Sequence, residues 1–306
     1  MVGDDRYEII EVEPPRRRGR ITMVIVAALV AVPLVGLVVD FEPAPIPPVP
    51  GQRTPGPTPQ PALTSVEARP NVLYPEPRPA GDGRESLDVT FPDGSRARVS
   101  YPASLDLAGL GVRPAIGVRY DELGVARRLY APLGGEVEIS GGSGEKLRDL
   151  TGNVALWPRR AGQPEGHVTV YTFGRWTMAM RDPGTSALTF DRRMTMAENL
   201  RGEVRSDGYL VLSARQPVEL ARPGDISRER AVGPQLWFGG ETGPLVVLTP
   251  TPRCGRGSPL PFHVLSGVFS GRACQGDVLV VVGAGPELTD RLLQGIQVRS
   301  LEEGKS

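Results

Sequence analysis

The stretch LVVVGAGPELTDRLLQGIQV, Leu279–Val298, joins an apolar run, a Gly-x-Gly turn and a segment of helical periodicity. Its reading decides the fold class. A strand and helix that open a parallel βαβ unit make the chain α/β, whereas the same pair closing an antiparallel domain makes it mainly β. The residues favour closure. Gly285 turns the chain, Pro286 suits a first helical position where no amide hydrogen is needed, and Glu287 sits at the positive end of the helix. Leu288, Leu292, Leu293 and Ile296 recur at the spacing of one helix face, and Gly295 can end the helix. The stretch is expected to be the last strand, helix and strand of a β-rich domain.

Upstream residues agree with that expectation. LDVTFPDGSRARVSYP (Leu87–Pro102) is two alternating runs around Pro92-Asp93-Gly94, a hairpin signal. Further strands are expected at Ile116–Tyr120, Val137–Ser140, Val154–Trp157, Val168–Met180 and Leu188–Met196, around Asp207-Gly208, and at Gln235–Phe238, Leu245–Leu248 and Val278–Val282. Helical periodicity is scarce: DELGVARRLYAPL (Asp121–Leu133) reads as one short helix and Pro286–Gln294 as another. The expected fold class is mainly β, mostly antiparallel, with one or two short helices and one N-terminal transmembrane helix. A break into two domains would fall at RDPGTSA, Arg181–Ala187.

The transmembrane expectation rests on ITMVIVAALVAVPLVGLVV, Ile21–Val39, which carries no charge. As a helix it would extend about 28 Å, close to the hydrocarbon thickness of a bilayer. It has no polar face, as a buried core helix of a globular protein usually would. The run is long for a signal peptide and no Ala-x-Ala site closes it, so a retained signal anchor is expected. Arg16, Arg17, Arg18 and Arg20 precede it and Asp40 and Glu42 follow. Positive flanks stay inside, so residues 1–20 form a cytoplasmic tail and the rest lies outside, in the cell envelope. The tail segment DDRYEIIEVEP (Asp4–Pro14) is either a solvated tail or a short docking strand.

Residues 40–85 are rich in proline and expected to form an extended, polyproline-like linker reaching on the order of 100 Å. A PxxP docking ligand is the sharper alternative. Residues 86–301 then form the extracytoplasmic β-rich domain. The chain balances 35 basic against 35 acidic side chains. Without the positive excess that phosphate backbones require, nucleic acid is not an expected partner.

Two cysteines, Cys254 and Cys274, fall in the external region, where a disulfide is expected. Closing such a loop stabilises a fold by roughly 3 kcal/mol in the chain-entropy account. A metal site is the rival, because His263 lies between them. Three ligands at loose spacing fall short of a closed zinc set, so no metal is expected.

In its strand, Gly283, Gly285 and Pro286, the Leu279–Val298 stretch resembles the dinucleotide-binding fingerprint of Rossmann and flavin proteins, which implies a bound nucleotide. It departs from that pattern where Leu288 replaces the third glycine and where Glu287 puts a negative charge at the pyrophosphate position. Glu302 could imitate the ribose-binding acid, yet four residues follow it in this sequence. No nucleotide and no other cofactor are expected.

No catalytic set is legible. His167 and His263 are the two histidines, and neither stands in a zinc-peptidase or nucleophile-elbow pattern. GGSGE around Ser143 reads as a flexible turn. The carboxylate pairs Asp121–Glu122 and Glu136–Glu138 carry no separation that chemistry could be read from. The more suggestive run is GHVTVYTFGRWTMAMRD, Gly166–Asp182. On one continuous strand Tyr171, Phe173 and Arg175 share a face with His167, Thr169 and Thr177, opposite Trp176, Met178 and Met180. Aromatics with an arginine favour recognition surfaces, unless Gly174 bulges the strand and breaks the register. Trp237, beside a glycine turn in GPQLWFGGETG, and Trp157 are aromatics of the same kind.

These residues lead to a non-enzymatic expectation: a single-pass membrane protein whose stalked β-rich domain binds or assembles with an envelope protein or cell-wall component, through candidates Tyr171, Phe173, Arg175 and Trp237. A sensor that signals through the span, and an extracytoplasmic hydrolase, are the alternatives.

Overall fold

The computed structural model describes residues 71–120, 126–141, 144–158, 166–182, 187–262 and 269–301. The expected tail and span, and most of the linker, lie outside the described residues. So do Asp121, Glu122, Ser143 and His263. Among the described residues no helix is long and apolar enough to cross a membrane.

Strands β1 (Arg78–Pro79), β2 (Arg84–Thr90), β3 (Arg96–Pro102), β4 (Val112–Tyr120) and β5 (Arg127–Tyr130) come first in chain order. Helix α1 (Gly135–Ser140) leads into β6 (Arg148–Thr151), β7 (Val154–Trp157), β8 (Val168–Phe173) and β9 (Trp176–Arg181). Helix α2 (Phe190–Asn199) is followed by β10 (Leu200–Val204), β11 (Leu210–Ala214), β12 (Val218–Leu220), β13 (Ile226–Ser227) and β14 (Arg230–Ala231). The remaining elements are β15 (Gln235–Gly239), β16 (Leu245–Pro250), β17 (Gly271–Gln275), β18 (Val278–Gly283), α3 (Pro286–Gly295) and β19 (Gln297–Leu301).

Among the described residues the main sheet has eleven strands in the order β17-β18-β16-β15-β4-β5-β9-β8-β7-β6, with β12 also on β4. Its pairings are antiparallel. A smaller sheet runs β1-β2-β3-β19, and β10-β11 and β13-β14 are separate ribbons. The protein is thus mainly β and antiparallel, with three short α-helices among the described residues.

Both faces of the main sheet are buried. Ile116, Leu129, Met178, Phe238, Val246 and Val280 pack in one core with Val89 and Val99 of the smaller sheet and Leu292 and Ile296 from α3 and its C-cap. Ala115, Tyr130, Val170, Trp237, Val247 and Val281 form a second core on the other face, covered by Ile139 of α1 and by Leu260 and Phe262. Double burial explains why LVVL and VLVVV read as continuous apolar runs rather than alternating ones. Burying each such side chain contributes roughly 1.5–3 kcal/mol.

The Leu279–Val298 stretch folds as strand, helix and strand. β18 lies between β16 and β17, and β19 leaves for the smaller sheet to pair antiparallel with β3. A parallel βαβ unit is therefore not formed. Pro286 occupies the first turn of α3, and Leu292 and Ile296 reach the core while Leu288 and Leu293 pack against it.

Several boundaries differ from expectation. Arg127–Tyr130 is strand rather than helix, because β4 and β9 supply partners on both sides. Gly135–Ser140 and Phe190–Asn199 are helices where strands were expected. In α2 the Thr189 hydroxyl accepts from the Arg192 amide as N-cap, and Arg193, Met196 and Ala197 are buried at helical spacing. The folded region also begins before residue 86: Asn71, Val72 and Leu73 are already buried. Strands on both sides of Arg181–Ala187 share the main sheet, so no domain break falls there.

Candidate functional site

The hairpin β8–β9 decides where the sequence candidates go. Gly174, at φ +56°, and Arg175 turn the chain so that Phe173 faces Trp176 and Tyr171 faces Met178. The reversal after Phe173 ends the alternation assumed for one continuous strand. Tyr171 and Phe173 consequently join Trp176, Met178 and Met180 in the first core, not a surface opposite them. Tyr171 stacks on Phe173 at 6.0 Å, and burial pushes its phenol pKa up. Arg175 sits exposed at the hairpin tip, donating to the Val72 carbonyl at 2.6 Å and lying over Trp176.

Trp237 lies in the second core, fully buried, between Tyr130 and Phe262. Its indole N–H donates to Gln235 Oε1 at 3.0 Å. The four candidates therefore do not form one face. The Cys254–Cys274 disulfide is present, with Cα atoms 5.7 Å apart.

An exposed seam forms between α2 and strand β6. Asp182, just past β9, anchors α2 there: its carboxylate accepts Arg193 Nη2 at 2.6 Å and Nε at 3.1 Å, and Arg127 Nε at 3.3 Å. All three residues are buried. The Leu188 amide also donates to Asp182 Oδ2, fixing the approach to the helix. With α2 held this way, Phe190 remains 41% exposed and Leu147 53% exposed. The Arg148 guanidinium lies 4.7 Å from the Phe190 ring centroid, over the ring.

At the other end of α2 the seam deepens into a cleft of about 250 Å³ lined by Thr151, Asn153, Phe173, Glu198, Arg201 and Gly202. Gly202 is required there, since a Cβ would sit 2.5 Å from Phe173 Cγ. Phe173 is thus the sequence candidate that reaches this site, as part of its wall. Leu147, Arg148 and Phe190 were not singled out from the sequence. The available signal was an apolar Phe190 followed by Asp191, Arg192 and Arg193 directly after a helix-capping threonine.

A second cleft, about 380 Å³, lies beside the β2–β3 turn and is lined by Phe91, Arg96, Pro223, Pro250 and Leu301 among others. Among the described residues no group of three or more His, Cys, Asp or Glu side chains is placed to hold a metal ion. Glu138 Oε2 accepts from the Gly134 amide within the turn of α1. At the Gly-x-Gly turn the Ala284 amide and carbonyl bond the Ser270 hydroxyl. Comparison with protein-family models, curated proteins and solved structures finds no match to this chain.

Proposed function

We propose that this chain is a membrane-anchored binding module of the cell envelope, held on a proline-rich stalk, whose recognition surface is the α2–β6 seam. The observation that carries the reading is the exposure of Phe190, with Arg148 over its ring, and of Leu147 next to Arg148 in sequence. An exposed aromatic ring with an arginine over it is the chemistry enriched in protein interfaces. The partner is accordingly a polypeptide that sets an apolar side chain against Phe190 and Arg148. A ten-residue helix makes the seam about 15 Å long, room for four or five extended residues. The anchor reading is supported by the uncharged Ile21–Val39 run and its arginine-rich N-terminal flank.

The test places a photo-crosslinking residue at Phe190 in the full chain in its membrane. The expected result is a polypeptide adduct whose purified segment binds the intact chain and loses binding on Leu147→Asp. Binding indifferent to Leu147→Asp refutes the seam. Protease added to intact cells tests the anchor separately: cleavage at Arg53 or Arg69 is expected, and full protection refutes the orientation.

A further inference from the structure

The disulfide closes a strap that covers the second core. Between β16 and β17 the chain from Thr251 to Phe262 forms no regular strand or helix, yet Cys254, Leu260 and Phe262 pack over the sheet face that carries Trp237, Val247, Leu279 and Val281. At its N-terminal end the Thr251 and Arg253 amides donate to the Asp277 carbonyl and carboxylate; farther along its described residues, Arg128 lies over the Phe262 ring. Ala231 N–H donates to Leu260 O, Arg128 Nη1 donates to Phe262 O at 3.3 Å, and Phe262 stands edge-on to Trp237. Arg272 of β17 donates to the carbonyls of Ser258 and Arg256. The covalent tie is Cys254–Cys274.

Cys274 is exposed on β17, a strand at the edge of the main sheet, whereas Cys254, in the strap, is half-buried. Arg253 and Arg256 are exposed next to Cys254 in sequence. Positive charge there favours departure of a thiolate from the disulfide.

The structure assigns Cys254–Cys274 as a thiol–disulfide exchange site whose reduction by a dithiol releases the strap and uncovers the Trp237 face. A thiolate of the dithiol attacks Cys274 Sγ, the Cys254–Cys274 bond breaks, and Cys254 leaves as a thiolate that takes up a proton. The second thiol attacks the mixed disulfide and frees Cys274, so two electrons and two protons pass from the dithiol, which ends oxidised. The β16–β18 ladder does not depend on this bond, because its pairing runs from Leu245 to Pro250 independently of the strap. Trp237 becomes accessible only in the reduced form.

Hydrogen exchange on the full chain, oxidised and after dithiothreitol with alkylation of the freed thiols, tests this. Exchange of the Ala231 amide and of strap amides such as Ser258 is expected to rise about tenfold or more, with the β8–β9 ladder unchanged, as local opening requires. The double variant Cys254→Ser/Cys274→Ser is expected to show the released pattern without reductant. Unchanged exchange with both thiols freed overturns the assignment. So does loss of protection throughout the domain, which would make the bond a staple of the whole fold rather than a latch on the strap.

Discussion

Replacing Asp182 with alanine removes the carboxylate that Arg127 and Arg193 share in the interior. Asp182 is 1% exposed, and its two oxygens accept guanidinium N–H groups from a strand and from helix α2. The substitution leaves two buried cations without that counter-charge, and breaking a buried pair on one side costs about 3–5 kcal/mol. For a domain of this size each kcal/mol corresponds to roughly 2–4 °C, so Tm is expected to fall by roughly 6–20 °C. Chemical denaturation should lower the midpoint with little change in slope, since the surface exposed on unfolding is nearly the same.

A double-mutant cycle with Arg193→Met isolates the pair. Met fills similar volume without charge, so the second substitution is expected to cost less in the Asp182→Ala background than alone, with a coupling of about 1–3 kcal/mol. The seam should respond too, because Asp182 holds α2: crosslinking from position 190 falls in Asp182→Ala and recovers partly in the double variant. A loss below about 1 kcal/mol for Asp182→Ala, or no coupling to Arg193, refutes the view that this buried carboxylate positions the helix.

Asn71 gives a second prediction, since its amide donates to Pro132 O and Thr177 O and its carbonyl accepts the Thr177 amide. Asn71→Ala is expected to cost about 2–3 kcal/mol and to speed exchange at Thr177; an unchanged denaturation midpoint would count against the junction. Alkaline pH gives a third. Burial raises the phenol pKa of Tyr130, Tyr171 and Tyr209 above the ordinary value of about 10. The folded state therefore holds more protons than the unfolded chain above pH about 10, so this stability is complete below that pH and is lost as pH rises further. Tyrosinate absorbance from these residues should appear in one step with unfolding, and their titration in an intact fold would contradict it.

Local chemistry made much of the fold legible. Pro92-Asp93-Gly94 and Asp207-Gly208 mark real hairpins because a tight turn depends on a few adjacent residues. α3 was readable from Pro286, Glu287 and its leucine stripe for the same reason. α2 was misread because Leu188, Phe190, Met194 and Met196 fit an alternating pattern as well as a helical one. The Thr189 cap and the buried Asp182 that favour the helix lie partly outside that pattern. Arg127–Tyr130 became a strand because pairing with the preceding β4 and the distant β9 outweighed its helix-like spacing.

The candidate site was less legible. Tyr171 and Phe173 lost their surface role when Gly174 reversed the chain, which a period-two reading does not represent. The seam joins β6 to a helix far along the sequence, and exposure of Leu147 and Phe190 is a property of neither segment alone.

The sequence by itself determined the mainly antiparallel β class, the strand–helix–strand identity of Leu279–Val298 and the expectation of a bond between its two cysteines. Each follows from turn chemistry, periodicity or covalent partners within short spans. Only the tertiary structure decided that both faces of the main sheet are buried, that Trp237 lies beneath a disulfide-tied strap, and that α2 is fastened by Asp182. Those outcomes depend on which distant segments meet and exclude water together, and burial is a property of the assembled chain rather than of any residue in it.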